Sequence, residues 1–237
     1  GNIIVSAGQS LDQTGGSINI QSGEGGPSSA SGEVLISSQN AGSGGSSGAI
    51  DIKTGVSNQA NTGSISLTTG DTSNSGIAGS ISIEAGDAQT TNGGDIVVNG
   101  GKSASAVGGS VSITSGIGET TSSGGLSLLT ANAGNEGQSG NINVKTGTAS
   151  TGASGSISLS SGDSTANVGG SISLSVGTGE SGVGGNINVK AGDSTQSNGG
   201  DVIVRSGGST EQGSGSIEIL SSNAGAEGAS GNISMST

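Results

Sequence analysis

Four aspartates, Asp71, Asp87, Asp163 and Asp193, each follow a glycine at the same place in a recurring phrase, and Asp12, Glu119, Glu180 and Glu211 lie in similar polar stretches. The chemistry such carboxylates could do is coordination of a hard cation. Calcium takes six or more oxygen ligands, so isolated carboxylates one repeat apart supply too few unless the repeats stack them. An aspartate that bonds its own backbone in an Asx-type turn needs no ion, and that reading is favoured at each site. No cofactor and no metal-ligating residue is assigned, and Ca2+ is retained only as a weaker alternative.

Catalysis has less to work with. The 237 residues contain no His, Cys, Phe, Tyr or Trp. Serine is abundant, but a serine with no neighbouring base is a poor nucleophile, and no thiolate or imidazole is available to hold a metal or shuttle a proton. The chain is expected not to be an enzyme, and its serines to serve hydration and turns.

The formal charge of -12, from 17 acidic and 5 basic residues, argues against nucleic acid and anionic lipid, both of which attract basic surfaces. No apolar run approaches the roughly 20 residues of a membrane-spanning helix, so membrane insertion is not expected. Without cysteine, redox chemistry does not report the compartment.

The elements that would position any site come from a repeat. A Gly-x-Ile-x-Ile-x-x-Gly block recurs from Gly1 and Gly16 through to Gly215 and Gly231, always at a spacing of 15 or 16 residues. With the opening glycine as position 1, positions 3 and 5 are Ile, Val or Leu in every repeat, apart from Met235 in the last. Ile18 and Ile20, Ile50 and Ile52, Ile81 and Ile83, Ile157 and Leu159, Ile172 and Leu174, and Ile217 and Ile219 are such pairs. A disordered polar tract has no reason to keep that register.

Polar residues at positions 2, 4 and 6 complete an alternation with a period of two, which predicts a half-buried strand bracketed by turn glycines. A strand of this kind buries its face by stacking on the next repeat. The fold class expected is therefore all-β: a parallel β-solenoid (β-helix) with about one repeat per coil, or alternatively two repeats per coil. The twelve aliphatics just named would be its core, and residues 1–237 one continuous array of sixteen strand units. Both ends fall inside a repeat without a cap, so the array is expected to be a segment of a longer one.

The phrase Gly-Ser-Ile-Ser-Leu-Ser-Ser-Gly, intact at Gly155 to Gly162, resembles the low-complexity tandem arrays of secreted marine algal proteins. A weaker resemblance, in repeat length and small-residue content, is to solenoid ice-binding proteins. Their outward Thr-x-Thr ranks are replaced here by Ser64-Ser66-Thr68, Ser156-Ser158-Ser160 and Asn186-Asn188-Lys190. What the first resemblance implies is a structural protein outside the cell; it carries no site. What the second implies is an ice-binding solenoid, the runner-up reading.

Departures from the alternation are the more informative residues. Ile4, Leu35, Val97 and Ile203 occupy position 4, and Leu129 and Leu220 position 6, where polar residues are usual. On a solenoid they would form an apolar stripe for lateral contact. A longer period reinforces this: "SSQNAG" at Ser37, "TANAG" at Thr130 and "SSNAG" at Ser221 mark the third, ninth and fifteenth repeats. The function expected is a structural or adhesive extracellular filament element that associates with itself end to end and side to side, at the cell surface or beyond it, with glycans or other surface proteins as further partners. A calcium-dependent surface-layer or adhesin repeat is the remaining alternative.

Overall fold

A chain with glycine at two fixed places in nearly every cycle can close on itself at those places without steric cost. The computed structural model describes residues 1–73 and 75–236. It falls into two units, Gly1–Thr120 and Thr121–Thr237, each built from the same repeat. In both, positions 1 to 8 run without a turn or bend, and the bends gather in the polar stretch that follows.

Six of these polar stretches are pinched shut by one backbone hydrogen bond. The position-1 glycine of the next repeat donates its N–H to the carbonyl at position 8. The pairs are Gly16 to Gly8 (2.9 Å), Gly32 to Gly23 (2.9 Å), Gly94 to Gly86 (3.0 Å), Gly109 to Gly101 (2.8 Å), Gly200 to Gly192 (2.9 Å) and Gly215 to Gly207 (2.9 Å). A side chain would crowd some of these donors: a Cβ on Gly109 would lie 2.9 Å from the Gly101 nitrogen, and one on Gly16 3.2 Å from the Gly8 nitrogen.

A branched residue at position 7 keeps a loop open. In the closed loops position 7 is Ala7, Ser22, Ala85, Gly100, Ala191 or Ser206, never a β-branched residue. Where it is Thr54, Thr69, Thr146 or Val176, no such bond forms; the loop after the unbranched Ser115 lacks it too, so an unbranched position 7 permits closure without ensuring it. The cause is contact, because the position-7 side chain lies against the incoming glycine: a Cβ on Gly94 would be 3.1 Å from the Ala85 Cβ. A branched side chain takes the space the donor must enter. Ser161 closes its loop differently, donating its hydroxyl to the Gly170 carbonyl (2.8 Å).

Within the loops, serine at position 10 sets the bend. Its Oγ accepts from the backbone N–H at position 13 wherever serine stands there: Ser10 from Gln13 (2.9 Å), Ser57 from Ala60 (3.0 Å), Ser103 from Ala106 (2.9 Å), Ser164 from Asn167 (3.0 Å), Ser194 from Ser197 (2.9 Å) and Ser209 from Gln212 (2.9 Å). This local side-chain bond offers the backbone an alternative to a sheet ladder.

The third, ninth and fifteenth repeats are built another way. Position 8 is Gln39, Ala131 and Ser222 rather than glycine, and a tight turn follows. In these turns Gly45 donates to Gly42 (3.0 Å), Gly137 to Gly134 (3.2 Å) and Gly228 to Gly225 (3.3 Å). Gly44 has a φ of 84°, which suits the third residue of a type II turn. Glu136 and Glu227 hold the same place with ordinary negative φ, as a type I turn allows.

The expected parallel β-solenoid is not formed. Among the described residues there is no helix and no strand, and every bond between backbone groups spans three, eight or nine residues. The longer ones tie only the ends of adjacent straight segments across one loop, and none forms a ladder between segments, so both the one-repeat and the two-repeat coil are overturned, and the description of the chain as a β-helix with them. The alternation at positions 2 to 6 fixes which residues share a side, but a ladder needs a neighbouring segment to accept its amides. Here the backbone bonds that form are confined to single loops, and several loops form none. Two aliphatics per repeat and no aromatic residue also bury little area against the backbone entropy of a Gly- and Ser-rich chain.

Candidate functional site

The residues with the most unsatisfied physical chemistry are the aliphatics. Position 3 is the less exposed of the two ranks, with Ile81 at 48% and Ile18 at 52%, whereas position 5 stands further out, with Leu159 at 78%. Every one of the twelve residues assigned to a core, including Ile20, Ile50, Ile52, Ile83, Ile157, Ile172, Leu174, Ile217 and Ile219, is exposed in the single chain, and no described residue is buried. The surface totals 23557 Å². A folded monomer of 21.8 kDa exposes about 9,300 Å², and its unfolded chain about 32,000 Å². The chain therefore leaves more than twice the surface of a folded monomer in water, much of it aliphatic.

The six residues read as lateral contacts are exposed as well. Ile4, Leu35 and Val97 lie in Gly1–Thr120, and Leu129, Ile203 and Leu220 in Thr121–Thr237. Leu35, Leu129 and Leu220 belong to the three repeats with the tight turn. The extra leucine and the altered loop thus occur together, once every six repeats.

Sequence reasoning missed the loop aliphatics. Val107, Val168 and Val183 all stand at position 14, and Val183 is 99% exposed. The stretch from position 9 to 14 is a bent loop, and Val168 there faces water. Serine at position 10 with small residues at position 7 was the available signal for a closed loop.

Charge is spread rather than gathered. Among the described residues no three acidic side chains come together as a cation site, so Asp71, Asp87, Asp163 and Asp193 remain separate. Lys190 meets Asp193 at 2.6 Å, with both side chains largely exposed, a pair that contributes little in water. Among the described residues no enclosed cavity forms, and no helix is long and apolar enough to cross a membrane.

What these features define is a repeat chain whose aliphatic ranks have no partner within the chain. Comparison with protein-family models, with curated proteins and with solved structures gives no match to it. The resemblance to algal solenoid arrays, and the weaker one to solenoid ice-binding proteins, does not hold: both presuppose stacked β-coils, and among the described residues there is no strand.

Proposed function

We propose that the chain is a structural or adhesive element outside the cell or at its surface, working by association with copies of itself into a filament or bundle. The observation that carries this reading is the register of exposed aliphatics: positions 3 and 5 are apolar in all sixteen repeats, and all those described lie in water. So many exposed aliphatics in a regular register are unusual for a monomer and support an association role. A second copy has the matching spacing by construction, so many weak contacts act together.

Leu35, Leu129 and Leu220 are each about three-quarters exposed (76%, 75% and 77%). Burying what remains of each adds about 1 to 2 kcal/mol to association. Replacing all three with Ser leaves the single chain as it is and is expected to separate laterally associated copies, seen by electron microscopy as thinner or absent bundles. Bundles of unchanged width and abundance would refute the lateral role.

A further inference from the structure

Two asparagines stand in closed loops directly before a glycine pair. They are Asn92 in Asn92-Gly93-Gly94 and Asn198 in Asn198-Gly199-Gly200. In each, the second glycine is the closure donor, Gly94 to Gly86 (3.0 Å) and Gly200 to Gly192 (2.9 Å). The first glycine is different. Among the described residues neither the Gly93 nor the Gly199 amide enters a backbone hydrogen bond, and both asparagines and both glycines are exposed. The nearest atom to a Cβ built on Gly93 is the Gly86 oxygen at 3.8 Å, and on Gly199 the Gly192 oxygen at 3.6 Å, so neither glycine is crowded on its Cβ side.

We propose that Asn92 and Asn198 are self-modification sites, converted through a cyclic imide to aspartate or isoaspartate. The Gly93 nitrogen, giving up its proton to solvent base, attacks the Asn92 side-chain carbonyl carbon. The bond from that carbon to Nδ2 breaks, and ammonia leaves with a proton taken from water. Water then adds to one of the two imide carbonyls and opens the ring, leaving a carboxylate at the side chain or at the backbone. The balance is asparagine plus water to aspartate or isoaspartate plus ammonia, with no oxidation or reduction. The same steps apply at Asn198 and Gly199.

The chain holds its own controls. Asn40, Asn132 and Asn223 are not buried but precede Ala41, Ala133 and Ala224, whose Cβ crowds the attacking nitrogen. Asn99 precedes a glycine, but Gly100 is packed: a Cβ there would collide with the Gly109 carbonyl oxygen. The site is thus selected by the following glycine and by its uncrowded Cβ side together. Each conversion adds a negative charge three residues before Asp95 or Asp201, on a chain already at -12. The inference does not depend on the filament reading.

The test is to incubate the full chain at mildly alkaline pH, cleave at Lys and Arg, and follow by mass spectrometry the exchange of the side-chain amide for a carboxylate. Asn92 and Asn198 are expected to convert several-fold faster than Asn99, Asn40, Asn132 and Asn223. The variants Gly93→Ala and Gly199→Ala, which the uncrowded Cβ side accommodates, are expected to slow them to the pace of the asparagines that precede alanine. Equal rates at all six asparagines, Asn99 keeping pace with Asn92, or no slowing in the glycine variants would overturn the proposal.

Discussion

Replacing Ala85 with Thr should open one loop and leave its counterparts alone. In the native chain the Gly94 N–H reaches the Gly86 carbonyl at 3.0 Å with the Ala85 methyl packed against the incoming glycine. Threonine adds a branch at that contact, and the loops that already carry threonine at position 7, such as those after Thr54 and Thr69, lack the bond. A backbone hydrogen bond open to water contributes about 1 kcal/mol, a factor of about 5 in the ratio of closed to open loop. Amide hydrogen exchange reads that ratio directly. On glycine-labelled protein, Gly94 should exchange about 5-fold faster in Ala85→Thr, whereas Gly200, whose closure on Gly192 has its own position-7 residue in Ala191, should not change. The converse variant, Thr54→Ala, should let the Gly63 N–H reach the Gly55 carbonyl and slow its exchange. An unchanged Gly94 rate in the first variant would refute the rule that a branched position 7 holds the loop open.

Other perturbations have equally definite outcomes. Raising salt from about 0.01 M to about 0.15 M shortens the screening length from about 30 Å to about 8 Å; with a charge of -12 on each copy, light scattering should show association growing over that range, and loss of association would mean that ion pairs rather than apolar contacts hold the copies together. Ile157→Asp, at a side chain 59% exposed, should alter the unassociated chain by no more than about 0.5 kcal/mol, yet weaken association by about 1 to 2 kcal/mol in sedimentation. Gly25→Ala drives a methyl into the Ser29 and Ala30 carbonyl oxygens, so the turn in which Ser29 donates to Gly26 (3.0 Å) must open, and the Ser29 amide should exchange faster.

The period of the array can be read directly from the amino-acid order, and with it every closing glycine. Gly8 and Gly16, or Gly86 and Gly94, stand out as fixed members of a cycle. The six-repeat period was also legible, through the Asn-Ala-Gly phrases that become the turns at Gly42, Gly134 and Gly225. What alternation does not carry is whether a straight segment finds a partner. Ile157 and Leu159 share a side because of their spacing, and the same spacing serves a buried strand and an unpaired one alike. The deciding information lay in residues of little apparent interest: Ala85 against Thr54 at position 7, and Ser164 or Ser194 at position 10, whose hydroxyls satisfy loop amides locally. The candidate surface was legible as a set of residues, and Leu35, Leu129 and Leu220 were expected to face outward; for the ranks at positions 3 and 5 it was legible only as a set. Their exposure was not, because burial depends on the neighbour each segment acquires.

The aliphatic ranks, exposed in one chain, are proposed to be covered by other copies. Sedimentation velocity of the full chain across a wide concentration range at physiological salt tests this most directly. Self-association gives a mass that climbs with concentration well beyond 21.8 kDa toward large assemblies. A single species of 21.8 kDa at every concentration would contradict it.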